Sequence, residues 1–240
     1  MKKISYSFMS LLLILFTSGC LYPDDMRGDK SAGAVRESIT LVQTAVDAYQ
    51  QASGGLIPIK NSEMDTPVYE KYIIDFNKLG AYIGQIPAVA FENGGNYYFV
   101  LVNVEEHPTV KLMDIVSFQK INALEREILL YISDNNGALP KGDELYENWF
   151  SIDFSLLDQK RLQIKSPYSE LYLSPIVHTS GIVKIDYGIE INRIIENYGE
   201  GNINKNQDLR ELLIETSNYV PVKSNPYDWV NEEHVIRNTF

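Results

Sequence analysis

Two aspartates occupy equivalent places in two similar stretches of the chain, IIDF at residues 73–76 and SIDF at residues 151–154. Carboxylates that face each other raise the pKa of one member, and such a pair can perform acid–base chemistry. An aspartate just before a short apolar turn more often caps that turn with its side-chain oxygen. We therefore predict that Asp75 and Asp153 are N-caps, and a facing carboxylate pair is the alternative.

A serine and a lysine are spaced as Ser-x-x-Lys at Ser117 and Lys120, and residues 133–135 read Ser-Asp-Asn. Serine acyl-enzymes combine these motifs with Lys-Thr-Gly, which the sequence lacks. Both motifs fall on one predicted helix, whose ends are about 24 Å apart at about 1.5 Å per residue. This separation excludes acyl-enzyme chemistry, and we predict that Ser117 starts the helix. Residues 134–137 are then predicted to end the helix. The same stretch has the acidic and amide residues of a calcium-binding loop, but Ala138, at the fifth position, has no side-chain oxygen to bind the ion.

The three histidines, His107, His178 and His234, have no partner at metal-ligand spacing. His107 follows Glu105 and Glu106, but adjacent residues of a strand or turn point in different directions. A His-Glu-x-x-His helix, a nucleophile elbow and a P-loop are also missing from the sequence. The sequence therefore predicts no catalytic residue, no cofactor and no metal site.

The single cysteine, Cys20, lies at the end of a leader. Lys2 and Lys3 come first, followed by the apolar residues 8–16 and the small residues 17–19. This order is that of an export signal, and the apolar run is much shorter than the about 20 residues of a membrane-spanning helix. One cysteine also excludes a disulfide within the chain and a cysteine-based metal site.

Small residues directly before a cysteine resemble the lipobox of bacterial lipoproteins. The resemblance implies that residues 1–20 are a lipoprotein signal peptide, that Cys20 is the lipidation site, and that it becomes the new N-terminus. The sequence departs from the motif at Thr17, where leucine is usual. Because each buried methylene contributes about 0.8 kcal/mol, two acyl chains give stable attachment. We therefore expect a protein anchored by lipid on the extracytoplasmic face of the cell membrane.

The chain is acidic, with 21 basic against 32 acidic residues and a net charge of −11. Removal of the leader takes Lys2 and Lys3 with it and leaves 19 basic against 32 acidic residues, a net charge of −13. Such a body repels nucleic acid and anionic lipid headgroups, so we predict no nucleic-acid partner and attachment through lipid alone. Residues 21–33 are predicted to be a flexible tether, and the composition of the remainder is that of a globular protein with a real core.

Apolar residues at helical spacing predict two long helices that end in the same way. Residues 49–58 read YQQASGGLIP and residues 131–140 read YISDNNGALP, so that glycine and proline terminate both helices. Downstream, VYEKYIIDF at residues 68–76 parallels LYENWFSIDF at residues 145–154, with one residue inserted. Matches in the same order predict an internal repeat.

Each copy continues into strand-like segments. The sequence NGGN at residues 93–96, between two β-branched and aromatic runs, predicts a β-hairpin. We predict an α+β fold of two similar units, residues 34–115 and residues 116–188, each a long helix, a short connecting helix or loop, and a three-stranded antiparallel meander. Residues 189–240 are predicted to form C-terminal helices and an aromatic tail.

The tail offers one further candidate site. Tyr227 and Trp229 are close in sequence, and paired aromatic rings form stacking platforms for sugars in some binding proteins. Aromatic side chains more often serve packing, so we predict that both pack on the core, with the sugar platform as the alternative.

Two further resemblances concern the body of the protein. An amphipathic helix ending in tyrosine, then Gly-x-x-Pro and antiparallel strands, is similar to the globular part of type IV pilins, although the hydrophobic helix that polymerises those subunits is missing. Taken whole, the chain resembles uncharacterised YphF-like lipoproteins of Bacillus-type bacteria, which implies no particular activity or site.

These observations predict a non-enzymatic binding or scaffolding lipoprotein whose partner is another envelope protein or a cell-wall fragment. The tether, the repeat and the lack of a recognised catalytic motif favour this hypothesis. One alternative is an envelope hydrolase with an unrecognised carboxylate or hydroxyl site where the two units meet, lined by Asp75, Asp153 and tyrosines. A pilin-like structural subunit is a further alternative.

Overall fold

The computed structural model describes residues 27–157, 159–199, 204 and 206–237. Residues from Ser38 onward form one compact unit. Within the described residues the helices are α1 (Arg27–Ser53), α2 (Val68–Lys71), α3 (Ile115–Asp134), α4 (Gly188–Tyr198) and α5 (Arg210–Thr216), with short 3₁₀ helices at Phe91–Asn93 and Phe154–Leu156. The strands are β1 (Tyr97–Val102), β2 (Thr109–Asp114), β3 (Lys141–Tyr146), β4 (Trp149–Ile152), β5 (Ile164–Lys165), β6 (Tyr172–Leu173), β7 (Pro175–His178), β8 (Val183–Ile185), β9 (Tyr227–Val230) and β10 (Glu233–Ile236). The predicted α+β class is confirmed, and α1 includes residues 27–33 of the predicted tether.

The helices α1 and α3 end through the same backbone hydrogen bond. The N–H of Gly55 donates to the carbonyl of Gln50 at 2.9 Å, and the N–H of Gly137 donates to the carbonyl of Ile132 at 2.9 Å. Both glycines have positive φ, 97° and 84°, the left-handed conformation that favours glycine at a helix end. The predicted glycine terminations are therefore confirmed.

The start of α3 differs slightly from the prediction. The helix begins at Ile115, and its N-cap is Asp114, whose side chain accepts from the N–H of Val116 at 2.9 Å. The hydroxyl of Ser117 donates to the same carboxylate. An aspartate at the end of β2 therefore caps the helix, because a carboxylate accepts from the free N–H groups of a first turn.

The first sheet consists of β1 and β2, paired antiparallel. Single residue pairs extend it beyond β1, since Ile73 pairs with Val100 and Ile59 pairs with Ile74. Across the sheet, the segment that follows Pro58 thus lies first, the segment that precedes Asp75 lies next to it, and β1 and β2 come after. Only β1 and β2 are full strands in this sheet.

The second sheet has the order β3-β4-β7-β8, and all of its neighbours are antiparallel. Its first two strands also follow a proline and precede an aspartate. The N–H of Asp153 donates to Pro140 at 3.0 Å, as the N–H of Asp75 donates to Pro58 at 2.8 Å. This shared arrangement favours the predicted repeat, which stays a prediction because the strand content of the two halves differs.

The predicted hairpin at residues 93–96 is wrong. Residues Phe91–Asn93 form a 3₁₀ helix, and the N–H of Gly95 donates back to the carbonyl of Ala90 at 2.8 Å. A Cβ at Gly95 would lie 2.1 Å from the carbonyl oxygen of Val89, so this glycine permits a close approach of backbone to backbone. The glycines thus serve a compact turn in front of β1 instead of a strand-to-strand connection.

The hairpin β3–β4 replaces the short connecting helix or loop predicted in the second half. Asn148 makes its tight turn with φ of 66°, a left-handed conformation that asparagine adopts more readily than most residues. The aligned residue in the first half is Lys71, which lies in α2. The two halves therefore differ at this position, with a helix in the first and a tight turn at Asn148 in the second.

The main hydrophobic core packs α3 and α4 against the second sheet. Ile121 and Ile128 of α3 are fully buried, as are Val177 of β7, Val183 of β8 and Ile191 of α4. Residues of β1, β2 and α5 belong to the same buried cluster. The two halves of the compact unit therefore share one core, which fixes β8 and α4 in the positions described next.

Candidate functional site

A cavity of about 690 Å³ lies between the β3–β4 turn, the start of α4 and the β9–β10 hairpin. We call it the Asp186 cavity. Its walls combine apolar residues with carboxylates, a tyrosine, an asparagine and a histidine. The described residues that line it are Leu145, Tyr146, Glu147, Asp186, Asn192, Glu232, Glu233, His234, Val235 and Ile236.

Asp186 stands where β8 ends and α4 begins. Its Oδ1 atom accepts three hydrogen bonds, from the N–H of Gly188 at 2.9 Å, the hydroxyl of Tyr227 at 2.9 Å and the hydroxyl of Tyr146 at 3.0 Å. Its Oδ2 atom has no donor among the residues that the structure describes. The carboxylate is thus held by one oxygen, and the residue lines the cavity.

Tyr146 and His234 form a second layer of the site. The Tyr146 hydroxyl lies 3.0 Å from His234 Nε2, and His234 Nδ1 lies 2.8 Å from the side-chain oxygen Oδ1 of Asn192. Since an ionised carboxylate only accepts, the Tyr146 hydroxyl donates its one proton to Asp186. The described contacts therefore orient both rings towards Asp186.

Burial sets the protonation of this second layer. Desolvation, followed by the charge of Asp186, raises the pKa of the Tyr146 phenol far above its ordinary value. Desolvation lowers the pKa of His234, and the carboxylates of Asp186 and Glu233 oppose that effect in part. Both side chains are consequently neutral at neutral pH, and the negative charge of the network stays on Asp186.

Gly188 leaves room for the close packing of this network. A Cβ at this position would lie 2.2 Å from His234 Nε2 and 2.7 Å from the Tyr146 hydroxyl. Contacts this short do not occur between real atoms, so any larger residue must displace one of the two rings. The glycine at the first position of α4 is therefore a requirement of the site.

The Gly188→Ala variant is expected to lose stability although alanine favours a helix by about 1 kcal/mol over glycine. Displacing Tyr146 or His234 should lower the free energy of unfolding by about 1–3 kcal/mol, measured by urea denaturation. Gly84→Ala is the matched control, because no atom lies within 4 Å of its added Cβ, and it should change stability by less than about 0.5 kcal/mol. A Gly188→Ala protein as stable as the control would contradict this account of the site.

The two aspartates singled out in the sequence cap their own turns. Asp75 Oδ1 accepts from the N–H of Asn77 at 3.0 Å, and Asp153 Oδ1 accepts from the N–H of Ser155 at 3.1 Å. The predicted N-caps are confirmed. Neither side chain lines the Asp186 cavity, so the alternative of a facing carboxylate pair is not supported by their geometry.

The other sequence candidates lie apart from one another. His107 is exposed in the β1–β2 turn, and His178 packs on Trp149 with ring centroids 5.0 Å apart. Tyr227 is fully buried, so the sugar platform that pairs it with Trp229 is wrong. Among the described residues, no three or more His, Cys, Asp or Glu side chains are grouped as a metal site would require.

The predicted lipidation site, Cys20, lies outside the described residues. The described helices include none that combines the length and the apolar character needed to cross a bilayer. Attachment through Cys20 therefore stays a prediction that depends on the leader sequence.

Comparison with known proteins identifies one similar region. Residues 35–114 match the YphF family N-terminal domain. This third of the chain is therefore similar to YphF proteins, and it comprises most of α1, then α2, β1 and β2. No match was found among curated proteins or among solved structures. The Asp186 cavity lies outside the matched region.

Sequence reasoning missed this cavity because its residues are far apart in the chain. Tyr146 and Asp186 are separated by 40 positions, and Tyr146 and His234 by 88. The local signal that was available is Asp186 followed by Gly188 at the start of a periodic segment, which is typical of a capped helix. That signal indicates the cap but not the tyrosine and histidine that join it.

Proposed function

We propose that the protein is a lipoprotein, anchored through Cys20 on the extracytoplasmic face of the cell membrane, that binds a small ligand carrying a protonated amine in the Asp186 cavity. The leader sequence supports the location. The observation that carries the binding role is the Asp186 carboxylate in the cavity lining, with three donors on Oδ1 and none on Oδ2 among the described residues. No catalytic activity is needed for this role.

The charge of the cavity favours a cation. Glu147, Glu232 and Glu233 join Asp186 in its lining, whereas lysine and arginine are absent from its described lining residues. An ammonium group offers three donors and no acceptor, which suits an unpaired carboxylate oxygen. The remaining cavity wall, with Leu145, Val235 and Ile236, suits a hydrocarbon stem.

The full-length protein in a non-ionic detergent should bind n-butylammonium, but not the neutral isostere 1-butanol, in isothermal titration calorimetry. Asp186→Asn keeps the shape and removes the charge, so affinity should fall about 10- to 100-fold, as for the loss of about 1.5–3 kcal/mol from a charged hydrogen bond. Asp153→Asn, which alters a cap away from the cavity, should leave affinity unchanged. Equal binding of amine and alcohol, or equal affinity in both variants, would overturn the proposal.

The series His234–Tyr146–Asp186 also favours a second candidate function, an envelope hydrolase. A phenol with a strongly raised pKa keeps its proton at neutral pH, so Tyr146 would be the proton-bearing group of the series and would act as a general acid where a substrate atom replaces Asp186 as its acceptor. Release of product from fluorogenic cell-wall fragments, lost in Tyr146→Phe, would support this candidate. If wild type and Tyr146→Phe give the same rate as buffer, the hydrolase candidate is removed.

A further inference from the structure

A second concave surface lies on the half of the protein that contains the first sheet. We call it the acidic cleft; it has a volume of about 500 Å³ between α2, the β1–β2 turn and α5. The described residues that line it are Val68, Tyr69, Tyr72, Leu101, Val102, Asn103, Val104, Glu105, Glu106, Asp208, Glu211, Ile214 and Glu215. The Asp186 cavity shares none of these residues.

The floor of the acidic cleft is apolar and aromatic. Leu101 and Val102 are buried beneath it, Tyr69 and Tyr72 are half-buried, and Val68 is 50 % exposed. An exposed valine beside two tyrosine rings is a surface that apolar side chains of a partner would cover. The floor therefore has the character of the centre of a binding groove.

The rim of the acidic cleft carries carboxylates without cationic partners. Glu105, Glu106, Glu211 and Glu215 form no ion pair with any residue that the structure describes, whereas Asp208 is paired with Arg210 at 2.6 Å. Partial burial, followed by the nearby charges of Asp208 and Glu215, raises the pKa of Glu211, and the charges of Arg210 and Arg237 oppose this effect in part. The rim thus carries four glutamates that lie outside the ion pairs of the described residues, beside Arg210, whose guanidinium lies 4.8 Å from the centroid of the Tyr69 ring.

Both sides of the rim are fixed by hydrogen bonds. In the β1–β2 turn, the N–H groups of Glu106 and His107 donate to the carbonyl of Asn103 at 3.3 and 3.0 Å. On the opposite side, Lys111 Nζ donates to the carbonyls of Ile214 and Ser217 at 2.7 and 2.6 Å, which ties the end of α5 to β2. The backbone that carries the glutamates is therefore fixed on both sides of the cleft, which lowers the entropy lost on binding.

The side chain of Gln43 supports the same turn from α1. Its amide nitrogen donates to the carbonyl of Pro108 at 3.0 Å, and its amide oxygen accepts from the N–H of Val110 at 2.7 Å. The glutamine thus pairs with the backbone at the start of β2 as a neighbouring strand would. This contact holds the rim in place from a third element.

We propose that the acidic cleft is a docking groove for an extended basic segment of another envelope protein. Lysine or arginine side chains of that segment pair with the four rim glutamates, and an apolar side chain between them covers Val68, Tyr69 and Tyr72. Charge complementarity selects this occupant, because an acidic or uncharged segment would leave the rim carboxylates desolvated and unpaired.

Fluorescence anisotropy of the full-length protein in a non-ionic detergent tests the proposal with a labelled eight-residue peptide of alternating lysine and leucine. The peptide should bind, and its glutamate–leucine counterpart should not. The double variant Glu211→Gln/Glu215→Gln should weaken binding at least about tenfold. The control Glu63→Gln/Glu196→Gln removes the same charge from exposed positions outside the cleft and should change binding less than about twofold.

Val68→Asp separates docking in the groove from general attraction to an acidic protein. The added charge would strengthen binding if only net charge mattered, whereas burial of a leucine on the floor predicts at least about fivefold weaker binding. Binding that is stronger in Val68→Asp, or lost equally in the control double variant, overturns the proposal. Asp186→Asn should leave peptide binding unchanged, so this test stands or fails independently of the Asp186 cavity.

Discussion

Cys20→Ala is expected to abolish incorporation of a labelled fatty acid into the protein completely, because the acyl-glyceryl group requires the cysteine sulfur. The same variant should lose cleavage before residue 20, detected as retention of residues 1–19 by mass spectrometry. The loss of membrane attachment should be large, because each buried methylene contributes about 0.8 kcal/mol and two acyl chains therefore form a stable anchor. The net charge of −11 disfavours a second route to the membrane through anionic lipid headgroups.

Thr17→Leu is the matched control for the lipid anchor. It restores the leucine that a lipobox usually carries and should leave labelling and cleavage at least as complete as in the wild type. Labelling that persists in Cys20→Ala, or a wild-type protein that is neither labelled nor cleaved, would contradict the predicted location.

Asp186→Ala is expected to lower the free energy of unfolding by about 3–5 kcal/mol. The change leaves the hydroxyls of Tyr146 and Tyr227 and the N–H of Gly188 without the oxygen to which all three donate. Each unsatisfied buried donor costs about 1–3 kcal/mol. Tyr227 is fully buried, so only a water molecule that enters from the Asp186 cavity could replace the lost acceptor.

Urea denaturation of Asp186→Ala and Asp186→Asn measures this effect. The asparagine variant keeps an acceptor oxygen, so it should lose no more than about 1–2 kcal/mol. The separation between the two variants matters more than either value, since both remove the same charge. Equal stability of the two would show that the hydrogen bonds to Oδ1 do not hold the site together.

Local features of the fold followed from the sequence. Glycine at positions 55 and 137 ends the two long helices, and Asp75 and Asp153 cap the turns that follow, because each feature depends on residues only a few positions apart. The α+β class followed from the change between helical and alternating periodicity. These properties are local in the chain, and a single sequence contains them.

Features that depend on contacts between distant residues could not be predicted from the sequence. The hairpin β3–β4 required Asn148 to adopt positive φ, which neighbouring residues and the partner strand β7 decide together. The turn in front of β1 uses Gly95 for a close backbone approach, although the same glycines also favour a hairpin. Local sequence allows both outcomes, and the surrounding structure selects one.

The candidate site was the least accessible from sequence. Tyr146, Asp186 and His234 come from three different elements that the shared core brings together. Asp186 lies just before the N-cap residue Tyr187 and accepts from the N–H of Gly188. Its place in the site also requires the Tyr146 and Tyr227 hydroxyls to donate to the same oxygen. Only the three-dimensional arrangement shows that three donors converge on one oxygen of Asp186 beside a cavity.

A titration of ¹⁵N-labelled full-length protein with n-butylammonium, followed by NMR, locates amine binding residue by residue. We expect shifts of backbone amides around the Asp186 cavity, at Tyr146, Gly188, Asn192 and His234, which vanish in Asp186→Asn. The same titration with 1-butanol should leave these signals in place. Shifts that are absent, that occur elsewhere on the protein, or that persist without the Asp186 charge would contradict the assignment of this cavity as a binding site for an amine.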